Sequence, residues 1–395
     1  MKDIKDLVNN GKHFCILPWI HFHSWPDKRV LPCCIADSTK PYSQIKPRQS
    51  ILEMMNSPEY KDMRRKMLND EPIDTCQRCY DLENLGAWTM RQSNNDRRGM
   101  EFAHLVERTQ DDGSIAEFKM AYMDIRFSNI CNMKCRSCGP ACSSQWAIEH
   151  KARHGDGSLK KYFNLDDTVA NSNKTGNFFK QLEPYLADVQ EVYFAGGEIL
   201  ITPEHYSCLE YWIENQLTDQ VELTYTTNFS VLKYKNKDLL GYWKQFPNLK
   251  IWASLDAKGQ HAEFIRKGTE WPLIEQNLRD IKESVPHAQL QITPTISMWN
   301  VHAFPRFFDY LIDNGLISRD TSPRWNLATN PWFANIQILP DRDRKTLEKL
   351  YLKYRDKYSD NIDISNGFKM IAYALSTGRE NKGGIQEFIK YNDEL

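Results

Sequence analysis

Cysteine spacing is the feature of this sequence that most directly indicates chemistry. Nine of the ten cysteines fall into two sets, which are Cys15, Cys33, Cys34, Cys76 and Cys79, and then Cys131, Cys135, Cys138 and Cys142. The first residues contain no apolar run of signal-peptide length, so we expect a cytosolic chain with reduced thiols. Grouped thiols in that compartment indicate metal binding or redox chemistry rather than disulfides.

The second set lies in one short loop. The segment DIRFSNICNMKCRSC places Cys131, Cys135 and Cys138 in a C-x3-C-x2-C arrangement directly after a predicted strand. Three thiolates in one loop can hold three irons of a cubane cluster and leave the fourth iron open for chemistry. Cys142 offers a fourth ligand, so a structural zinc site is the alternative.

The elements that position this loop begin near Met120, where β-rich runs alternate with amphipathic helical patterns. The alternation favours βα units on a parallel sheet or partial barrel. In such folds functional groups lie at the carboxyl ends of the strands. Strands are predicted at AYMDIRF, VQEVYFAGG, VELTYTTN, LKIWASLD, AQLQITPTIS and NPWFANIQILP, and helices at HYSCLEYWIENQL and WPLIEQNLRDIKESV.

Polar residues follow several of these strands. Each one alone is typical of an ordinary strand end, and Arg266 alone would be an ordinary surface arginine. Glycine lets the backbone approach a ligand closely, and a carboxylate beside it can pair with an ammonium group of that ligand. An arginine can pair with a ligand carboxylate. The candidates are Gly196, Gly197, Glu198, Thr227, Asn228, Ser254, Asp256, Arg266 and Thr295.

The loop C-N-M-K-C-R-S-C, with these segments after it in order, resembles the signature of the radical SAM superfamily. The resemblance implies a partial (β/α)6 TIM-like barrel and a 4Fe-4S cluster on Cys131, Cys135 and Cys138. The open iron would bind S-adenosyl-L-methionine (SAM), whose reductive cleavage gives a 5'-deoxyadenosyl radical.

The resemblance also implies roles for the other candidates. The turn of Gly196, Gly197 and Glu198 corresponds to the family's GGE, which contacts the SAM amino group, although Ile199 stands where the family usually has proline. Arg266 would bind the SAM carboxylate. The remaining contacts, to ribose, carboxylate or adenine, would come from Thr227, Asn228, Ser254, Asp256 and Thr295.

The N-terminal cysteines resemble a SPASM or twitch module, which holds an auxiliary iron-sulfur cluster. The resemblance implies that Cys15, Cys33, Cys76 and Cys79 are the ligands. Adjacent strand residues point to opposite faces, so Cys34 is expected to be buried instead of binding the same cluster. The module usually follows the radical SAM domain, whereas here it precedes it. A structural zinc site is the alternative, with His13, His21 and His23 as further candidate ligands, although histidines beside tryptophans are more often packed side chains.

Composition and turn signals suggest the domain limits. Residues 97–119 are polar, with a turn-forming Asp-Asp-Gly-Ser core, and are predicted to be a linker. We therefore expect an auxiliary-cluster domain over 1–96, a radical SAM core over 120–340 and a helical C-terminal extension over 341–395. Within the first core strand, alternation puts Tyr122, Asp124 and Arg126 on one face, as cavity lining or as a satisfied polar network.

The charge of the chain is balanced, since 51 Lys and Arg face 52 Asp and Glu, giving a net charge of -1. No charged block is present to attract nucleic acid or a membrane surface, and no run reaches the ~18 apolar residues of a membrane span. We expect a cytoplasmic protein without either partner.

The resemblance favours an enzyme that abstracts hydrogen from a peptide or protein side chain, with a flavodoxin or ferredoxin as electron donor. The alternative is the same chemistry on a sugar, alcohol or nucleotide, with the auxiliary cluster accepting an electron or binding the substrate. A zinc-binding protein without catalysis is a remote third possibility, because it leaves the GGE turn and Arg266 unexplained.

Overall fold

The computed structural model describes residues 3–84 and 86–393. The α-helices are α1 (Ile4–Asn10), α2 (Leu17–Ile20), α3 (Ile51–Met55), α4 (Pro58–Leu68), α5 (Gln77–Asn84), α6 (Met90–Asn94), α7 (Ala103–Glu107), α8 (Ser144–His154), α9 (Ser158–Phe163), α10 (Asn177–Leu182), α11 (Pro203–Glu214), α12 (Leu239–Trp243), α13 (Gly259–Ile265), α14 (Trp271–Ser284), α15 (Phe304–Asp313), α16 (Asp341–Lys357), α17 (Ile362–Thr377) and α18 (Lys382–Asp393).

The described strands are short, at two to six residues each. They are β1 (His21–Ser24), β2 (Arg29–Leu31), β3 (Ser43–Gln44), β4 (Tyr122–Ile125), β5 (Lys134–Cys135), β6 (Glu191–Phe194), β7 (Glu222–Thr227), β8 (Lys233–Tyr234), β9 (Lys237–Asp238), β10 (Leu249–Ala253), β11 (Arg266–Lys267), β12 (Gln289–Ile292), β13 (Thr295–Ile296) and β14 (Asn326–Leu327). Every helix within the described residues is too short or too polar to cross a lipid bilayer.

The chain divides into two compact units. Unit one contains residues 1–129 and 169–223, and unit two contains residues 130–168 and 224–395. This division differs from the predicted domain limits, because the core strand β4 belongs to the same unit as the N-terminal cysteines.

Strand pairing in unit one explains that difference. The strand order is β6-β4-β1-β2-β3. Strand β1 runs parallel to β4, with His21 opposite Tyr122 and His23 opposite Asp124. The N-terminal segment therefore adds a strand to the sheet that begins the predicted core.

The stretch predicted as a linker is ordered and packed within unit one. It includes α7, and the side chains of Leu105, Val106, Ile115 and Phe118 are buried. These few apolar residues are spaced among charged ones, which is why the segment reads as polar in sequence. The burial of its apolar side chains makes it part of the unit rather than a tether.

Unit two holds strands in the order β12-β10-β7. Strand β10 is parallel to β12, and the Ser254 amide donates to the Thr227 carbonyl at 2.8 Å where β10 and β7 end. Helices separate these strands in sequence, so the predicted α/β class is confirmed.

One predicted strand is wrong. The segment NPWFANIQILP forms two 3-10 turns, Trp332–Ala334 and Ile336–Ile338. The Asn335 side chain caps the second turn by accepting a hydrogen bond from the Gln337 amide at 2.9 Å. Capping by asparagine competes with strand pairing, and the strand that pairs with β13 is instead β14.

Arg64 links three segments of unit one from a fully buried position. Its guanidinium donates to the carbonyl oxygens of Pro18 at 3.0 Å, Met55 at 2.7 Å and Gly113 at 3.2 Å. The charge is therefore satisfied by backbone dipoles, without a carboxylate among its hydrogen-bond acceptors.

We predict that Arg64→Ala lowers the free energy of unfolding by about 3 to 5 kcal/mol, because it leaves several buried carbonyls without donors. Urea unfolding of the cluster-loaded protein measures this change. Arg65→Ala is the matched control. Arg65 is exposed and pairs with Asp62, so its loss should cost less than about 1 kcal/mol; equal effects would contradict the account.

Candidate functional site

The cysteine loop of unit two brings its thiols together. Burial raises the pKa of the Cys138 thiol well above its usual range, and neighbouring thiols raise it further. Those neighbours are Cys142, Cys135 and Cys131. Grouped, desolvated thiols become stable as thiolates only when a cation is placed among them, so the loop has the donor set of a metal site.

The loop is fixed by hydrogen bonds to its backbone. The indole of Trp146 donates to the Cys135 carbonyl at 2.8 Å, and the Ser143 hydroxyl donates to the Met133 carbonyl at 2.8 Å. The short strand β5 pairs antiparallel with β11, with Cys135 opposite Arg266. These contacts hold the backbone of the loop in place.

Gly268 allows the close approach of β11 to this loop. Its φ is 103°, and a Cβ at this position would lie 2.9 Å from the Asn132 carbonyl oxygen. Both the conformation and the contact exclude a larger side chain. The glycine of FIRKG is therefore required by the loop that carries the cysteines.

Arg266 is tied to both a carboxylate and a thiol. Its Nε donates to Oδ2 of Asp256 at 2.7 Å, and its Nη1 lies 3.6 Å from Sγ of Cys135. The arginine side chain is 15% exposed and the Asp256 side chain 2% exposed. Burial lowers the pKa of Arg266, but Asp256 and the Cys135 thiolate raise it more, so the group remains a cation. The alternative of an ordinary surface arginine is excluded.

Asp256 also anchors the next strand. Its Oδ1 accepts from the Thr295 amide at 2.8 Å, and its carbonyl accepts from the Asn300 side chain at 3.2 Å. The predicted residues Asp256, Arg266 and Thr295 thus form one network beside the cysteine loop. Asn300, which sequence reasoning missed, holds that network through a side-chain amide.

Polar residues after β7 also reach the loop. The Asn228 side chain donates to Oδ1 of Asn132 at 2.9 Å, and the Asn132 side chain donates to the Ser230 hydroxyl at 2.9 Å. The predicted Thr227 hydroxyl accepts from the Phe229 amide at 3.0 Å and so shapes the turn. A small cavity lies beside this network and is lined by residues that include Asn228, Ser254, Asp256, Arg266 and Thr269.

The C-terminal helix α18 supports the loop, although its sequence carries no recognisable motif. The Tyr391 hydroxyl donates to the Arg136 carbonyl at 3.2 Å, and the Arg136 guanidinium donates to Oδ1 of Asn392 at 3.1 Å. The same Asn392 oxygen accepts from the Trp299 indole at 2.8 Å. The contacts of Tyr391 and Asn392 with Arg136 span some 255 residues of sequence, so no local pattern could have indicated them.

The predicted GGE turn lies in unit one at the end of β6. The Gly197 amide donates to the Ser128 carbonyl at 3.2 Å. Gly196 has a φ of 139°, a conformation that favours glycine. The Glu198 side chain is buried, and its Oε1 accepts from the Leu200 amide at 3.1 Å, so the carboxylate caps the 3-10 turn that follows.

The N-terminal cysteines surround one cavity in unit one. The thiols of Cys15, Cys33, Cys76 and Cys79 line it. Burial is the main cause that raises the pKa of the Cys15 and Cys33 thiols, and it raises the pKa of Cys76 to about 12. Four desolvated thiols around one cavity have the donor set of a four-cysteine metal centre.

Cys34 does not line this cavity. Its Sγ lies 3.8 Å from Sδ of Met90, whereas Cys33 lies among the lining residues. Nor do His21 and His23 line it, so they do not extend the four-cysteine site.

Arg91 is a residue of this cavity that sequence reasoning missed. It is buried, pairs with Glu83 and donates to the carbonyls of Gly11 at 2.9 Å and Phe14 at 2.7 Å. Its cation fixes the backbone before Cys15, and its charge lowers the pKa of the Cys15 thiol against the larger effect of burial. An arginine on a short helix gives no sequence signal of such a role.

Residues 15–80 match the model of the SPASM family, an iron-sulfur cluster-binding domain. The match confirms the module predicted from the N-terminal cysteines and its iron-sulfur cofactor. A search of curated proteins found no match.

Solved structures similar to the chain include the following two. Native anSMEcpe with bound AdoMet is 12% identical, with a TM-score of 0.41 over 60% of this chain and 61% of that one. Streptococcus suis SuiB bound to S-adenosylmethionine is 13% identical, with a TM-score of 0.41 over 77% of this chain and 61% of that one. The chain thus spans about three fifths of each of these proteins.

Proposed function

We propose that the chain is a radical SAM enzyme with an auxiliary iron-sulfur cluster. The observation that carries the proposal is the loop of unit two, where the thiols of Cys131, Cys135 and Cys138 gather next to the ion pair of Arg266 and Asp256. The guanidinium of Arg266 is held by Asp256 beside these thiols, so it can pair with the carboxylate of a ligand bound at the loop.

The three cysteines would hold a 4Fe-4S cluster through thiolates. When bound, the cluster and SAM supply one-electron cleavage of the sulfonium to a 5'-deoxyadenosyl radical. Cys142 would remain outside the ligand set and leave one iron open, although its thiol neighbours Cys138.

The chain's own residues would bind and orient SAM. Arg266, held by Asp256, keeps a guanidinium edge for the SAM carboxylate. The polar groups of Thr227, Asn228, Ser254 and Thr295 would contact ribose, carboxylate or adenine. The resemblance to the radical SAM superfamily implies that Gly196, Gly197 and Glu198 would bind the amino group of SAM.

The auxiliary cluster would be held by Cys15, Cys33, Cys76 and Cys79. Arg91 would stabilise the added negative charge, since its guanidinium is already fixed by Glu83. The electron for SAM cleavage would come from a flavodoxin or ferredoxin.

We further propose a peptide or protein side chain as the substrate, because SPASM-type modules often accompany peptide substrates. The protein, reductant and SAM can be incubated with extracts of cells grown in deuterated medium and separated by size. Deuterium in 5'-deoxyadenosine from the peptide fraction would support the proposal. Deuterium from the small-molecule fraction alone would contradict it and favour a sugar, alcohol or nucleotide.

Arg266→Met should weaken SAM binding on the order of tenfold or more, because a charge-assisted hydrogen bond contributes about 1.5–3 kcal/mol. Equilibrium dialysis of cluster-loaded protein with SAM measures the change. Lys267→Met is the matched control, since Lys267 follows on the same strand but is exposed. Iron content, measured in parallel, separates lost SAM binding from a lost cluster; equal SAM affinity in the two variants would refute the assignment.

A further inference from the structure

A basic surface lies behind the cysteine loop of unit two. Lys134, Arg136 and Lys267 line one cavity of about 260 Å³, and Cys135 is not among its lining residues. Neighbouring side chains of an extended segment point to opposite faces, so the two cations beside Cys135 lie on the face away from its thiol. Arg153 on α8 is close enough for its charge to act on Lys134. We call Lys134, Arg136, Arg153 and Lys267 the basic face.

The charges of the basic face repel one another. Lys134 and Lys267 are directly opposite each other across the antiparallel pair of β5 and β11, and like charges at such positions destabilise the pairing. Burial is the main cause that lowers the pKa of the Lys134 ammonium, and the cations of Lys267, Arg153 and Arg136 lower it further. Because this arrangement costs stability, it indicates an interaction with a negatively charged partner.

Carboxylates offset only part of this charge. Glu149 pairs with both Lys134 and Arg153, and Glu263 lines the cavity. Four cations against two carboxylates leave an excess of two positive charges here. The whole chain carries a net charge of -1, so the excess is a local feature of this surface.

Contacts within unit two already hold these cations in place. The guanidinium carbon of Arg136 lies 3.8 Å from the centre of the Phe264 ring, and its Nε donates to the Phe264 carbonyl at 2.7 Å. The Lys134 ammonium lies 4.9 Å from the centre of the Trp146 ring. Phe264 itself is 46% exposed. Fixed cations beside an exposed aromatic ring suit a protein surface better than a single small anion, since arginine and aromatic side chains are enriched in interfaces.

The basic face lies directly behind a proposed cluster ligand. Lys134 and Arg136 are the sequence neighbours of Cys135, and the Trp146 indole donates to the Cys135 carbonyl at 2.8 Å. Arg266, which is proposed to bind SAM, approaches the Cys135 thiol itself. A partner on the basic face would therefore come within one strand of the cluster without entering the site proposed for SAM.

We propose that the basic face docks the electron-donor protein through an acidic surface around the donor's redox cofactor. The inference rests on the proposed function, because it requires the cluster on Cys131, Cys135 and Cys138. In the docked complex the reduced donor loses one electron and the cluster gains it, with no bond formed or broken. A reductase then restores the donor with electrons from NADPH. Complementary charge steers such partners together and makes their association sensitive to salt.

Binding of a flavodoxin tests the basic face directly. The variant Lys267→Glu/Arg153→Glu reverses two of its exposed charges, and Lys345→Glu/Lys349→Glu makes the same change of charge at exposed lysines of α16. In biolayer interferometry at low salt, we expect the first variant to bind flavodoxin about tenfold or more weakly than wild-type protein, and the second to bind as wild type does. Added sodium chloride should weaken wild-type binding. Equal affinity in the two variants, or no binding by wild-type protein, would overturn the proposal.

SAM cleavage with two reductants separates this proposal from the proposed function. Dithionite is a small molecule that needs no docking surface, so Lys267→Glu/Arg153→Glu should form 5'-deoxyadenosine at the wild-type rate with it. With flavodoxin, its reductase and NADPH, the same variant should reach about a tenth of the wild-type rate or less. Iron content, measured in parallel, reports whether the cluster loop is intact. Equal flavodoxin-driven rates in the two variants would contradict only the docking surface, whereas wild-type protein that cleaves no SAM with dithionite would contradict the proposed function.

Discussion

Replacing Cys131, Cys135 and Cys138 together by alanine should abolish SAM cleavage while the iron bound by residues 15–80 remains. The three thiols line one loop in unit two, whereas the SPASM match and the other four thiols lie in unit one. Each donor set is complete within its own unit, so removing one need not empty the other. Anaerobic product analysis for 5'-deoxyadenosine, with iron per chain, measures both effects.

Cys142→Ala is the control that distinguishes a three-thiol site from a four-thiol site. Its thiol neighbours Cys138, but it lies outside the C-x3-C-x2-C arrangement. Cleavage should persist in Cys142→Ala and in Cys208→Ala, whose buried thiol belongs to neither set. If Cys142→Ala loses its metal as completely as the triple variant does, the loop is a four-thiol site and the proposed open iron is wrong.

Cys33→Ala should lose the auxiliary cluster, and with it roughly half of the iron if both clusters are of the four-iron type. Its thiol lines the cavity shared by Cys15, Cys76 and Cys79. A cluster with three of four thiolates is exposed to loss of iron. Iron and sulfide analysis, together with the absorption of the remaining cluster, measures the change.

Cys34→Ala is the matched partner of that experiment. The two cysteines are adjacent, so both variants perturb the same backbone, but the Cys34 thiol contacts the Met90 sulfur instead of lining the cavity. We expect Cys34→Ala to keep its full iron content. The reverse result, with iron lost from Cys34→Ala and kept in Cys33→Ala, would reassign the ligand.

The β-strands of the core were predictable because their apolar residues are local and periodic. The runs around Met123, Val192, Leu223 and Ile251 all became β-strands. The cysteine loop was predictable because metal ligation requires short spacing between thiols. Both signals are contained in windows of a few residues.

The domain limits were not predictable in this way. The pairing of β1 with β4 joins residues about a hundred positions apart, and no local pattern reports such a contact. The contacts of Tyr391 and Asn392 with the cysteine loop join residues that are even further apart in the sequence. The sequence indicated Asp256 and Arg266 only as separate polar residues after predicted strands. Their ion pair could not be predicted, because it depends on how β10 and β11 are placed in the fold.

The wrong strand at NPWFANIQILP has a chemical cause. Its apolar residues alternate as in a strand, but Asn335 caps a 3-10 turn through its side chain. A short-range hydrogen bond therefore outweighed the period-two pattern.

The measurement that tests the central claim most directly is product analysis of anaerobically reconstituted protein given dithionite and SAM, with iron and sulfide determined on the same sample. The account predicts 5'-deoxyadenosine and methionine in equal amounts from protein with about eight irons per chain. Protein that holds zinc on its cysteines and leaves SAM intact would contradict it.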